Sequence, residues 1–405
     1  MTPDGPQLGV IRDIVNRYRP DLAPFEEAYR EIHRNAELST SESMTANHVA
    51  SFMTDLGFQV FRGIGGHGVA AVLYNGHGTT VLLRAELDAL PIEEATGLPF
   101  ASTKRMPDSW GREQPTMHAC GHDLHIACLL ASATLLRDAV DHWKGTLVIV
   151  FQPNEDGPFA AGTLNIRGGP VLVSADTVHV RLYSSLGHAA NPQSNIDVVK
   201  LASRIILKLD SLAKEVAGEE YALVSVDQIH AGYPGQDWVS HADITLDVKT
   251  YSDSIRRDLL ERIRSTVVAE SASAGVTTPP EIKFNVRAPL TSNSLPHADS
   301  LRKTFSFFFG EENIGDNIPK HPCEDFSRLA TANARPYVFW FFGREDPQQF
   351  RDALEKDKFL DKIPLNHSPY NAPLLNPSLR IGADALALAS LSFLMQSKVE
   401  MSSLT

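Results

Sequence analysis

The chain has 405 residues, enough for two or three domains, and a formal net charge of -12, from 37 Lys and Arg against 49 Asp and Glu. A hydrophobic share of 43% is that of an ordinary globular protein, and the acidic balance argues against a nucleic-acid partner, which needs a basic face. Three cysteines are too few for a disulfide framework and no run of 18 apolar residues occurs, so we predict a cytoplasmic protein without membrane contact.

The first part of the chain alternates helix and strand patterns. Helical spacing of apolar residues predicts helices at 7–33, 41–56 and 123–140. Short apolar runs predict strands at 69–73, 80–84 and 146–152, the last of them continuously apolar. Strands that alternate with helices in this way predict an α/β fold with a largely parallel sheet and helices on its faces.

The middle of the chain follows a different order. A strand, a helix, two strands, a helix and a strand are predicted at 176–183, 194–214, 221–230, 242–251, 254–274 and 281–287. This βαββαβ order is that of a ferredoxin-like module. We place the module at 174–288, inserted into a discontinuous α/β domain that consists of 1–173 and 289–405.

The densest group of chemically active side chains is MHACGHD at 117–123. Cys120 and His122 lie two positions apart, so on an extended or looping segment they point the same way. A thiolate and an imidazole suit zinc or a similar divalent ion. Taken alone, such a Cys-x-His pair is more often incidental than functional, but its position at the start of a predicted helix favours a site.

Carboxylates form a second group. Glu155 and Asp156 directly follow the predicted strand 146–152, and open α/β sheets bind ligands at the carboxyl ends of their strands. One carboxylate can bind a metal while the other takes a proton from water, although a solvated acidic turn explains this motif alone equally well. Asp88 likewise follows a strand, and His367 lies in a late NHSP loop.

Six short motifs occur together in one order: RAELDALP (84–91), MHACGHD (117–123), FQPNEDG (151–157), GHAANP (187–192), EDF (324–326) and NHSP (366–369). The chain therefore resembles the amidohydrolase branch of the dinuclear-metal aminoacylase and carboxypeptidase family, which includes hippurate hydrolases and enzymes that cleave auxin–amino-acid conjugates. The resemblance implies a zinc-peptidase-like, three-layer catalytic domain, interrupted by a ferredoxin-like lid through which two chains form a homodimer. The implied cofactor is one or two divalent ions, zinc or manganese.

The resemblance also implies roles for individual residues. Cys120 would bridge two metal ions as a thiolate, and His122, Asp156 and His367 would be further ligands. Asp156 occupies a position at which the family usually has Glu, so its side chain is one methylene shorter.

Three other residues match positions that act on the reaction. Glu155 matches the general base that activates water. His188 resembles the lid histidine that polarises the scissile carbonyl, and such a donor stabilises the developing oxyanion. Asp88 would orient a metal ligand.

The chain departs from the family pattern directly after Asp156. Only GPFAA (157–161) stands where the family places a helix and a Gly-Leu-His strand with another ligand histidine, and a parallel crossover needs a dozen or more residues. His179 is a candidate replacement. However, strand alternation places it on the polar face with Thr177 and Arg181, and its segment resembles the first strand of the lid.

These observations lead to one hypothesis and two alternatives. The leading hypothesis is an enzyme that cleaves an N-acyl amino acid or a small peptide-like amide with metal-activated water. The first alternative is a non-catalytic, dimeric family member that has lost a metal position. The second is an incomplete version of a normal enzyme that lacks the ligand segment. The acyl group and the amino acid stay open.

Overall fold

The computed structural model describes residues 5–108, 110–152, 161–184, 196–233, 239–316, 320–355, 363–364 and 366–395. The chain divides into two compact units. The first consists of Met1–Arg167, Leu295–Asn317 and Trp340–Thr405, and the second of Gly168–Ser294 and Ile318–Phe339. Residues 168–173, 289–294 and 318–339, assigned from the sequence to the larger domain, thus cluster with the second unit.

In chain order, the helices are α1 (Gly5–Tyr18), α2 (Ala23–Arg34), α3 (Ser43–Asp55), α4 (His122–Asp138), α5 (Val198–Asp210), α6 (Leu212–Ala217), α7 (Asp253–Ser273), α8 (Leu295–Phe309), α9 (Ser327–Thr331), α10 (Pro347–Glu355) and α11 (Leu375–Leu394). The strands are β1 (Gln59–Ile64), β2 (Gly68–Asn75), β3 (Thr79–Glu86), β4 (Arg105–Pro107), β5 (Glu113–Pro115), β6 (Gly145–Gln152), β7 (Leu164–Asn165), β8 (Gly169–Tyr183), β9 (Ala222–Ala231), β10 (His241–Thr250), β11 (Glu281–Ala288), β12 (Thr291–Asn293), β13 (Ile314–Gly315), β14 (Lys320–Cys323) and β15 (Phe341–Phe342). Within the described ranges, no helix combines the length and the apolar character that crossing a bilayer requires.

The first predicted helix is two helices. α1 ends at Tyr18 and α2 begins at Ala23, whereas the sequence pattern predicts one helix over 7–33. Pro20 explains the break, because its ring fills the space of the preceding turn and its nitrogen carries no hydrogen to donate. At the break, the Nε of Arg19 lies 2.8 Å from the Oδ1 of Asp384, which is buried in α11.

The main sheet of the first unit has the strand order β1-β2-β6-β3. Among its described strands, only β3 and β6 run parallel, and the pairs β1–β2 and β2–β6 are antiparallel, so the expectation of a largely parallel sheet is wrong for this part of the sheet. The connections explain the directions. β1 and β2 are joined by a short turn, which permits only antiparallel pairing, whereas β3 and β6 are joined through α4, a helical crossover.

The chain does not return to this sheet after β6 in the residues that the structure describes. The next described strand, β7, lies instead in a separate sheet of order β13-β7-β15. This placement agrees with the argument that residues 157–161 are too few for a parallel crossover. It also brings the residues that follow β15 close to those that precede β7, since the N–H of Gly343 donates to the carbonyl of Thr163 at 2.9 Å.

α4 is the central helix of the first unit. It is apolar on nearly all sides and packs against α2, α11 and β3, as expected of a helix without a solvent face. Its first residue, His122, consequently starts in the interior, beside the carboxyl end of β3.

The second unit has the predicted βαββαβ order, formed by β8, α5, β9, β10, α7 and β11. Its antiparallel sheet runs β11-β8-β10-β9, and α5 and α7 pack on it over a core that includes Val178, Val180 and Leu246. The alternation predicted for β8 is confirmed, because Val178 and Val180 are buried whereas His179 is exposed. The His179 ring lies 3.3 Å from the hydroxyl of Thr245.

Candidate active site

The structure describes part of the predicted site. Asp88, Cys120, His122 and His367 lie in described residues of the first unit. Glu155, Asp156 and His188 lie outside the described residues. The candidate replacement ligand His179 belongs to the other unit.

Cys120 and His122 are presented by the turn that begins α4. Gly121 between them has φ of +92°, a left-handed conformation that L side chains rarely adopt. Gly121 is thus the residue before the helix, which begins at His122. Both flanking side chains are buried, with 5% of Cys120 and 1% of His122 exposed.

Asp88 sets the orientation of the His122 ring. The Nδ1 of His122 lies 2.8 Å from the carbonyl oxygen of Asp88 and 3.3 Å from its Oδ1. Nδ1 therefore carries the hydrogen, and Nε2 is the ring nitrogen that can meet a metal ion.

The turn that carries His367 docks onto the Cys120 turn. The backbone N–H of His367 donates to the carbonyl of Ala119 at 3.1 Å, and the side-chain amide of Asn371 donates to the same oxygen. His367 itself is exposed and has φ of +67°. The carbonyl of Ala119 thus joins two segments that are far apart in the chain. Each of these segments holds a predicted metal ligand.

Charged side chains surround His122. Burial would raise the pKa of Glu86, but Arg84, whose Nη1 lies 2.7 Å from the Oε1 of Glu86, and nearby histidines hold it at about 2. Burial would lower the pKa of His122, but its contacts with Asp88 and the negative charge of Glu86 raise it to about 10. An ion that binds at His122 therefore has to displace a proton.

The donor chemistry fits a divalent metal. A buried thiol and a buried imidazole lie on either side of one glycine, and both are ligands that zinc and related ions prefer. Among the residues that the structure describes, no group of three or more His, Cys, Asp or Glu side chains is arranged to hold an ion. Of the predicted ligands, Cys120, His122 and His367 are thus described, whereas the predicted carboxylate ligand, Asp156, lies outside the described residues.

Sequence reasoning missed Arg344, which lies at this site. Arg344 is 5% exposed, and its Nη1 donates to the carbonyl of Cys120 at 3.0 Å. Its only signal in the sequence is a charged pair, Arg344-Glu345, directly after the apolar run 337–342.

A second group that sequence reasoning missed lies beneath the start of α4. His33 is fully buried between two carboxylates, with Nδ1 2.6 Å from the Oδ2 of Asp123 and Nε2 3.1 Å from the Oε1 of Glu94. Burial would lower the pKa of His33, but its hydrogen bonds to these carboxylates raise it to about 10. His33 is therefore a buried cation that neutralises two buried anions, one of them the residue next to His122.

Replacement of His33 by leucine is expected to destabilise the fold strongly. Asp123 and Glu94 would then be buried close to each other without their cation, and removal of one partner of a buried ion pair costs about 3–5 kcal/mol. Urea unfolding of the wild type and of His33→Leu measures the difference in free energy of unfolding. The exposed His77 supplies the control His77→Leu, and a similar loss in both variants would contradict the prediction.

The effect of His33 is also expected to depend on pH. Its pKa is about 10 in the folded chain and about 6.5 when unfolded, so its charged form stabilises the fold fully below pH ~6.5. The stabilisation is lost as pH rises through the folded pKa. The difference between wild type and His33→Leu should therefore shrink from pH ~6.5 towards ~10, and a difference that grows over this range would contradict the assignment.

The family model for peptidase family M20/M25/M40 matches residues 82–361, more than half of the chain. The chain belongs to this family.

Named relatives agree with this assignment. The chain is 29% identical to the hippurate hydrolase of Campylobacter jejuni over 346 residues, which cover 78% of this chain and 87% of that protein. It is 27% identical to IAA-amino acid hydrolase ILR1-like 2 of Arabidopsis thaliana over 351 residues, 78% of this chain and 76% of that protein. The predicted resemblance to the amidohydrolase branch is thereby confirmed.

A solved structure shows the same fold. A dinuclear metal binding peptidase of the M20 family from Bacillus subtilis superposes with a TM-score of 0.72 at 22% identity. The match covers 93% of this chain and 99% of that one. The predicted fold class is confirmed by this likeness.

Proposed function

We propose that this chain is a metal-dependent amidohydrolase that cleaves an N-acyl amino acid or a small peptide-like amide. The observation that carries the proposal is the Cys120-Gly121-His122 turn, with the His122 ring held by Asp88 and with the His367 turn docked beside it. The names of the relatives support the substrate class, because hippurate and IAA-amino acid conjugates are both N-acyl amino acids.

The proposed metal ligands are Cys120, His122, Asp156 and His367. A divalent ion held there supplies Lewis-acid polarisation of the scissile carbonyl and lowers the pKa of water. The ion is zinc or manganese, and one or two ions bind. A single ion is compatible with the short connection at 157–161, which leaves no room for the strand that carries the family's additional ligand histidine.

The proposed chemistry is a hydrolysis of the acyl C–N bond. Glu155 takes a proton from the attacking water, whose oxygen adds to the carbonyl carbon, and then gives a proton to the leaving nitrogen. His188 donates a hydrogen bond to the oxyanion that develops. Asp88 keeps the His122 ring in the tautomer that leaves Nε2 towards the site. The products are a carboxylic acid and an amine.

The second unit is proposed to form a homodimer with the same unit of a second chain. Its βαββαβ order and its edge strand β9 support this role, because an open sheet edge can pair with another strand. Sedimentation equilibrium would give the mass of a dimer, and a monomer at all concentrations would contradict it.

The proposed activity is tested with the purified full chain. Elemental analysis measures bound metal, and a panel of N-acyl amino acids is assayed with added zinc or manganese. We expect bound metal and release of the free amino acid. Absence of both would contradict the proposal.

A non-catalytic family member is the second candidate. The observation that favours it is that no described residue after β6 returns to the main sheet, where the family's additional ligand histidine is expected. Such a protein would bind a family substrate in calorimetry without hydrolysing it.

If the chain instead lacks a segment of a normal enzyme, sequencing of the transcript between the codons for Asp156 and Gly162 would recover the additional codons.

A further inference from the structure

We infer that Arg344 is a positioning residue that clamps together the two turns that carry the predicted metal ligands. One of its guanidinium nitrogens, Nη1, donates to the carbonyl of Cys120 at 3.0 Å. The other, Nη2, donates to the Oδ1 of Asn366, the residue before His367. One side chain thus holds the Cys120 turn and the His367 turn at the same time.

The local structure is shaped to admit this guanidinium. A Cβ added to Gly121 would lie 3.2 Å from the Nη1 of Arg344, so the absence of a side chain at Gly121 lets the guanidinium approach the turn. Arg344 is 5% exposed, and a buried guanidinium has to be satisfied by acceptors and by negative charge. Its Nη1 and Nη2 have the acceptors named above, and its Nε lies 3.3 Å from the Oε1 of Glu345.

The backbone around Arg344 is anchored on both sides. Its carbonyl accepts from the N–H of Leu374 at 2.7 Å, and the carbonyl of Glu345 accepts from the N–H of Ala161 at 2.7 Å. Ala161 belongs to the short connection that replaces the family's longer segment. The clamp residue is therefore joined, through its neighbour Glu345, to the end of this short connection.

Arginine is required for this double contact. Its planar fork presents two terminal nitrogens in fixed directions, whereas a lysine ammonium is a single point charge. Arg344→Lys should keep the charge and hold one turn, and Arg344→Gln should release both. Asn366→Ala removes only the contact with the His367 turn.

The role of Arg344 in metal binding rests on the proposed function, but its contacts with the two turns can be tested in metal-free protein. Amide hydrogen exchange of the full chain, dialysed against a chelator, is followed at residues 117–125 and 366–371. Arg344→Gln should raise exchange in both segments by about tenfold or more, the factor expected for the loss of a hydrogen bond to a charged group. Arg344→Lys should raise it less, and Asn366→Ala only in 366–371. The exposed Arg351 of α10 supplies the control Arg351→Gln, which should leave both segments unchanged.

A second measurement separates positioning from general support of the fold. With Co²⁺ added, the sulfur-to-metal absorption of Cys120 should weaken in Arg344→Gln and be largely retained in Arg344→Lys. Wild-type exchange in both segments of Arg344→Gln would overturn the inference, and so would equal changes in Arg351→Gln. A wild type that binds no Co²⁺ and hydrolyses nothing would contradict the proposed function. The exchange experiment would still show whether Arg344 holds both turns.

Discussion

Cys120→Ala is expected to lower metal affinity by at least about 100-fold and to abolish measurable hydrolysis. Mutation of a residue that only hydrogen-bonds to a metal ligand already lowers metal affinity by about 10–100-fold. Cys120 is proposed to be a ligand itself, so the loss should be larger. The thiol is also the soft donor of the set, and alanine offers no substitute. Metal affinity is measured by competition with a chromogenic chelator, and activity by amino-acid release.

Cys128 provides the matched control. It lies within α4, and its buried thiol donates to the carbonyl of Leu379 at 3.5 Å. Burial holds the pKa of this thiol well above its usual range, so it stays protonated and is a poor ligand. Cys128→Ala should keep its metal. Full metal content and activity in Cys120→Ala would show that the Cys-Gly-His turn is not the metal site.

Glu155→Gln is expected to lower kcat by about 10²–10⁴-fold, the usual contribution of a positioned general base. Glutamine has nearly the same shape but accepts no proton from water. Because Asp156 and not Glu155 is the proposed ligand, the metal content should stay close to that of the wild type. Initial rates at saturating substrate and elemental analysis of the same sample test both statements.

Glu113, exposed in β5, supplies the control Glu113→Gln, which should retain wild-type rates. If Glu155→Gln instead loses its metal together with its activity, the roles of the two neighbouring carboxylates are exchanged. If it keeps full activity, Glu155 is not the base.

The ferredoxin-like unit was largely predictable from the sequence. In β8 the apolar residues alternate with polar ones, and the structure buries Val178 and Val180 while it exposes His179, as that pattern predicts. The helix 254–274 and the strands on either side likewise appear within one residue of the predicted limits. Such patterns are local, and an antiparallel sheet covered on one face by helices imposes them directly.

The main sheet was less predictable. Three of its four described strands were predicted, and β1 was not. The strand directions were not predicted either, because pairing depends on which connection crosses the sheet and not on the composition of a strand. The break in the first helix could have been expected from Pro20, since proline rarely continues a helix. The amphipathic pattern continues through both helices, so it predicts one helix where the structure has two.

The candidate site divides in the same way. The types of the proposed ligands and their grouping in Cys120-Gly121-His122 and in Asn366-His367 were visible in the sequence, because each motif lies within a few residues. The residues that hold these motifs were not. Arg344 contacts Cys120 across 224 positions of the chain, and His33 contacts Asp123 across 90.

By itself, the sequence predicted the family, the order of helices and strands in the inserted module, and the residue types of the candidate site. These follow from periodicity and from short motifs, which are properties of neighbouring residues. Only the tertiary structure decided that β6 pairs antiparallel with β2, that the chain after β6 enters a separate small sheet, and that a buried arginine joins the two ligand turns. The physical reason is that such contacts are selected by burial and by the need to satisfy buried charge, and neither leaves a local pattern in the chain.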